Sequence, residues 1–172
     1  ALEHDIPREK ICLGEIVTSI DVEQHIVHTN KRTLCYDNII STIPLPYLLE
    51  LCDKDYDTNA LTWNKVLVFN LGFDGKGKDC INHWIYFPEE KYCFYRVGFY
   101  SNIIPSDRMS LYVEIGYKSE AEIDVETMLH ETLSGLKEAH ILHDEKLISW
   151  HYVVMNPAYV YVSKLGINEV KK

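Results

Sequence analysis

The stretch YDNIISTIPLP, from Tyr36 to Pro46, constrains what this chain can fold into more than any other segment of it. Ile39, Ile40 and Ile43 form an apolar run that reads as a short buried strand over Ile39 to Thr42. That strand must end at Pro44-Leu45-Pro46, because proline brings no N–H to a ladder and biases its predecessor away from helix. Upstream, GEIVTSIDVEQHIVHTNKRTLCYDN reads as a β-ribbon, with strands over Ile11 to Ile20, His25 to Thr29 and Thr33 to Tyr36 and a turn at Asn30-Lys31. Downstream, Tyr47 to Leu51 is a short apolar helix, and Pro46 suits its first turn. Cys52 to Asn59 is acidic and loop-like, Ala1 to Lys10 is polar and loop-like, and a domain seam is expected at Pro44 to Pro46.

From Thr62 the texture changes to alternating, aromatic-rich segments: Lys65 to Leu71, Ile81 to Phe87, Tyr92 to Tyr100 and Leu111 to Tyr117. In the first, Val66, Val68 and Asn70 share one face, and Leu67, Phe69 and Leu71 the other. Such spacing predicts an antiparallel sheet. Val125, Met128, Leu129, Thr132, Leu133 and Leu136 carry helical periodicity, with Asp124 as N-cap and Glu126 in the first turn. Gly135 inside that helix implies close packing on the sheet. Leu147 to Met155 and the shorter Ala158 to Val162 read as further strands. The fold class is therefore α+β: an antiparallel or mixed sheet of about five or six strands with one main helix packed on it, plus a small N-terminal ribbon.

With 172 residues the chain can hold an ordinary core, and no apolar run approaches the ~20 residues that span a bilayer. No basic n-region and apolar h-region open it, which points to the cytoplasm. A net charge of −9 and the lack of a basic stripe exclude nucleic acid as a partner. The five cysteines include no C-x-x-C pair, so they read as reduced thiols packed as small apolar groups rather than as a disulfide or zinc framework. His140 and His143 at the end of the helix lack a third ligand at a typical spacing, so no metal site is assigned. No nucleophile elbow is present and Cys93 reads as a packed strand residue, so hydrolase chemistry is unsupported.

The order ribbon, Tyr-Asp, apolar strand, Thr-x-Pro resembles the flavin-dependent amine oxidoreductase superfamily. NHWIYFPEEKYCFYRVGFYSNIIP (Asn82 to Pro105) and SLYVEIGY (Ser110 to Tyr117) narrow the likeness to its UDP-galactopyranose mutase-like and protoporphyrinogen oxidase-like branch. It runs from about Ile11 to about Tyr161. The resemblance implies that residues 1–44 belong to an otherwise absent FAD-binding domain and residues 45–172 to the substrate-binding domain. Thr42 and Pro44 would line the flavin with backbone. The eight glycines include no G-x-G-x-x-G; Gly72, Gly75 and Gly77 sit in GFDGKGKD, which no apolar helix follows. The chain thus reads as a middle slice of an enzyme, with FAD in the full-length parent, none expected in this piece, and no catalytic residue assigned.

Trp84, Tyr86, Tyr95, Arg96 and Tyr100 are the leading binding candidates. Alternation puts Trp84 with Tyr86 and Phe94 with Arg96. An arginine fork among tyrosine hydroxyls suits a diphosphate; the alternative is that these aromatics cover the core or pack on the absent domain. Asn156 to Tyr161 resembles the family's Ala-Tyr-Pro turn, which implies a diphosphate-gripping role for Tyr159, although Val160 stands where the family has proline. The implied function is the substrate-binding part of a sugar-nucleotide isomerase of cell-envelope (lipopolysaccharide) synthesis. Its partners would be a sugar nucleotide or other small molecule and the FAD-binding domain. The alternatives are an oxidase or desaturase acting on an apolar substrate, and a stand-alone, non-catalytic β-rich binding module.

Overall fold

The computed structural model describes residues 6–57, 60–104 and 106–162. Expectations for Ala1 to Asp5, for the end of the acidic loop and for Pro105 lie outside them. The chain divides into two compact units, one running to Thr62 and taking in Val162, the other Trp63–Tyr161.

In the first unit β1 (Val17–Asp21), β2 (Ile26–Thr29) and β3 (Thr33–Cys35) form an antiparallel meander. The β1 strand is shorter than the sequence suggests, because Leu13-Gly14 turns the chain, with Gly14 at φ 64°. The Glu15 carboxylate braces the ribbon by accepting from Arg32 Nε and from the Thr29 hydroxyl, both at 2.8 Å. α1 (Leu45–Leu51) follows with Pro44 as its N-cap residue and Pro46 buried. The strand expected over Ile39 to Thr42 is not formed, and Ile40 is 93% exposed. Apolar β-formers describe a preference; the ladder needs a neighbouring edge, and among the described residues none pairs with them.

The second unit is built on a five-stranded sheet in the order β5-β6-β7-β4-β8. Its strands are β4 (Leu61–Phe73), β5 (Trp84–Tyr86), β6 (Arg96–Phe99), β7 (Ser110–Lys118) and β8 (Leu147–Val162). α2 (Tyr100–Ile103) is one turn, and α3 (Val125–Glu138) is the main helix. The Asp124 carboxylate caps α3 by accepting from the Thr127 amide at 3.2 Å and its hydroxyl at 2.7 Å. Leu129 and Leu136 of α3 join Leu67, Phe69, Val97, Phe99 and Val113 in one buried core on one sheet face. A Cβ on Gly135 would lie 2.9 Å from Phe94 Cε1, so the helix approaches the core as closely as its glycine predicts.

Three expectations are corrected. The strand over Tyr92 to Tyr100 contracts to β6, with Tyr100 opening α2. Phe94 does not share a face with Arg96: the chain bends at Tyr95, which sends Phe94 into the core. The two C-terminal strands are one, β8, continuing through Asn156-Pro157. Cysteine placement differs too, since Cys12, Cys35 and Cys80 are exposed while only Cys52 and Cys93 are partly buried.

Candidate functional site

The sheet face opposite α3 carries the chemistry. Antiparallel pairing puts directly opposed residues on the same face, and two adjacent rows define this one. Tyr86 pairs with Arg96, Arg96 with Glu114, and Glu114 with Val68. In the next row Trp84 pairs with Gly98, Gly98 with Tyr112, and Tyr112 with Asn70. A Cβ on Gly98 would meet the Tyr112 ring at 1.9 Å, so that ring lies across the glycine. The rows border an open concavity of about 360 Å³ lined by Val68, Asn70, Arg96, Tyr112, Glu114 and Met155.

Glu114 organises this face although it is only 5% exposed. Its Oε1 accepts from Arg96 Nη2, and its Oε2 accepts from the Tyr95 hydroxyl at 2.5 Å. Arg96 Nη1 donates to the Tyr86 hydroxyl at 3.2 Å, while Arg96 Nε is buried with no partner among the described residues. The guanidinium also lies 5.7 Å and 5.9 Å from the centroids of the Tyr86 and Tyr112 rings, within cation–π range. Burial opposes the charge on Arg96, but the Glu114 carboxylate and the Tyr86 hydroxyl outweigh it, so the proton is held above the usual arginine range. Burial first, then the Glu114 hydrogen bond, pushes the Tyr95 phenol well above the ordinary tyrosine value.

The sequence candidates are therefore placed as follows. Arg96 and Tyr100 line the concavity, and the Tyr100 hydroxyl donates to Asn70 Oδ1 at 3.1 Å. Tyr86 borders it by accepting from Arg96, while Trp84 shares the sheet face through its pairing with Gly98 but lines a separate concavity with Ile81, Asn82 and His83. Tyr95 lies beside them with its hydroxyl on Glu114. Tyr159 is 47% exposed, its backbone N–H donates to Asn64 Oδ1 at 2.9 Å, and it lies near enough to Tyr95 to contribute to that phenol's upward shift. Thr42 and Pro44 belong to the first unit: Thr42 is exposed and Pro44 precedes α1. Sequence reasoning missed Tyr112, Glu114 and Asn70. The signal was present, because alternation in SLYVEIGY puts Tyr112 and Glu114 opposite Leu111, Val113 and Ile115.

A larger concavity of about 460 Å³ in the first unit is lined by Asp21, Glu23, Asp53 and Lys54 among others. It lacks convergent aromatic and buried polar groups, so the smaller one is the better site. Among the described residues no cluster of three or more His, Cys, Asp or Glu could hold a metal ion. No described helix is long and apolar enough to cross a membrane.

No family model matches the sequence. Solved structures do share its fold, which is the one that the flavin amine-oxidoreductase resemblance implies. A reduced UDP-galactopyranose mutase is similar over 92% of this chain and 37% of its own, at 22% identity and TM-score 0.75. A provisionally assigned protoporphyrinogen oxidase from Exiguobacterium sp. 255-15 is similar over 99% of this chain and 40% of its own, at 15% identity and TM-score 0.68. A CLA-producing fatty acid isomerase from P. acnes is similar over 81% of this chain and 34% of its own, at 16% identity and TM-score 0.51. The chain thus spans well under half the length of each of these proteins.

Proposed function

We propose that this chain is the substrate-binding part of a flavin-dependent enzyme similar to UDP-galactopyranose mutase, and that its substrate, a sugar nucleotide, lies on the Arg96 face of the sheet. The observation that carries this reading is the convergence of Arg96, Tyr100 and Tyr112 on one concavity of a sheet face that Trp84 and Tyr86 share, in a fold shared with that mutase at TM-score 0.75. In this reading residues 1–44 belong with the cofactor domain and residues 45–172 with the substrate domain, a functional boundary that falls inside the first compact unit, which runs to Thr62. Thr42 and Pro44 line the flavin with backbone, a role that the exposure of Thr42 suits. FAD supplies the chemistry. This chain's residues bind and orient: Trp84 and Tyr86 offer ring faces, Tyr100 is held by Asn70, and Tyr159 offers a hydroxyl near Tyr95.

The test is a titration of the full-length gene product with UDP-galactose, followed by tryptophan fluorescence. Trp84 is 53% exposed, so Trp84→Ala leaves the core intact and should weaken binding by about 0.5–1.5 kcal/mol through the lost ring contact. Tyr159→Phe should weaken it by about 0.5–1.5 kcal/mol, the scale of one neutral hydrogen bond. Wild-type affinity in both variants would refute the reading. Val68, Val153 and Met155 on the same concavity favour a second reading, an oxidase-type enzyme with an apolar substrate. There Met155→Gln would impair turnover while Tyr159→Phe would not.

A further inference from the structure

We infer that the Arg96–Glu114 pair receives an uncharged, hydroxyl-bearing ring of the ligand, and that Glu114 is the specificity-determining residue that keeps phosphate off Arg96. This rests on the reading above for where the substrate lies, and it changes what the arginine does there.

A lone guanidinium on a sheet face would be a phosphate fork. Arg96 is not alone, since Nη2 is committed to Glu114 and Nη1 to Tyr86. The carboxylate is 5% exposed, so water does little to screen it. A phosphate that reached Arg96 would stand beside Glu114 as well, and its repulsion from the carboxylate would offset its attraction to the guanidinium. The chain's net charge of −9 adds nothing to rescue it.

A hydroxyl group meets the same pair differently. It donates and accepts, so it can give its proton to a carboxylate lone pair and take a hydrogen bond from the guanidinium edge. Among the described residues Glu114 has two donors to its side chain, Arg96 and Tyr95, and an ionised carboxylate has about four lone-pair sites, which leaves capacity. The surroundings suit a ring: the Tyr112 side chain lies over Gly98, Tyr100 packs on it at 5.1 Å between centroids, and Met155 lines another side. At about 360 Å³ the concavity is at the small end for ligand sites, the size of a ring rather than of a whole nucleotide. Together these features describe a carbohydrate or nucleoside subsite, with the phosphates bound beyond it.

The experiment uses the full-length protein and ligand-observed saturation-transfer NMR with methyl galactopyranoside as the neutral probe and inorganic pyrophosphate as the charged competitor. The glycoside should give a transfer signal with the wild type that excess pyrophosphate does not remove. In Glu114→Gln the shape is kept and the charge lost, so pyrophosphate should now displace the glycoside, with its affinity for this site raised about tenfold. Displacement by pyrophosphate from the wild type, or no glycoside signal at millimolar concentration, would overturn the inference. If circular dichroism shows Glu114→Gln to be unfolded, the wild-type competition decides alone. UDP-galactose is run in parallel: failure to displace the glycoside would refute the sugar-nucleotide reading while leaving the neutral subsite standing.

Discussion

Replacing Arg96 by methionine removes the positive charge beside a carboxylate that is 5% exposed. Breaking one side of a buried ion pair costs about 3–5 kcal/mol, because the charge left behind is neither hydrated nor compensated. Two features put Arg96→Met at the lower end. The Arg96 side chain is 23% exposed, so the pair is not wholly dry, and the Tyr95 hydroxyl still donates to Glu114. The expected loss is about 3 kcal/mol. Glu114→Leu strips the partner from an arginine that can turn toward water, and should cost about 2 kcal/mol. The double variant leaves neither charge stranded, so it should lose only about 1 kcal/mol instead of the roughly 5 kcal/mol that independent sites would give. Urea unfolding at neutral pH, followed by circular dichroism and tryptophan fluorescence, reads all four corners of the cycle. Urea is chosen because guanidinium salt screens the interaction being measured. Losses that add to within about 0.5 kcal/mol would refute the coupling and make the pair an ordinary surface contact.

Burial and Glu114 raise the Tyr95 phenol, so the folded state keeps this proton to higher pH than the unfolded chain does. That stability is complete below the unfolded value of about 10 and is lost progressively as pH climbs from there toward the raised folded-state value; the wild type should therefore lose stability more steeply than Tyr95→Phe above a pH of about 10, and equal slopes in urea melts would refute the assignment. Gly135→Ala sets two effects against each other. Helix propensity favours alanine by about 1 kcal/mol, but the new Cβ meets Phe94, a ring 2% exposed and held by Phe87 and Tyr92, and overpacking costs about 1–3 kcal/mol. A net loss near 1 kcal/mol is expected in thermal or chemical unfolding, and a stabilised variant would show that the core yields more readily than its packing suggests.

What could be read from the sequence was what repeats locally. The periodicity of Val125 to Leu136 and the carboxylate of Asp124 give α3 and its cap, and alternation in Lys65 to Leu71 gives the two faces of β4. Pairing is different. Nothing within Ile39 to Thr42 says whether a sheet edge lies beside it, and the run is irregular in the structure. The bend at Tyr95 that parts Phe94 from Arg96 reverses one face assignment, and alternation cannot foresee a bend. The candidate site was legible as a collection of aromatics and one arginine. Its polarity was not, because the meaning of Arg96 depends on Glu114, which reaches it only through the β6–β7 register.

Gly98 has an evolutionary consequence. The Tyr112 ring occupies the space where a side chain at residue 98 would begin, so the depth of the concavity is set by a missing carbon atom. Any substitution there raises the floor and dislodges the ring together with its contact to Arg96. Trp84, Tyr86 and Tyr100, by contrast, are each more than two-fifths exposed and lie outside the core. Lineages of this protein can therefore explore new ligands by exchanging those rim aromatics at little expense in stability, while residue 98 and the Arg96–Glu114 pair hold the frame within which such exploration is possible.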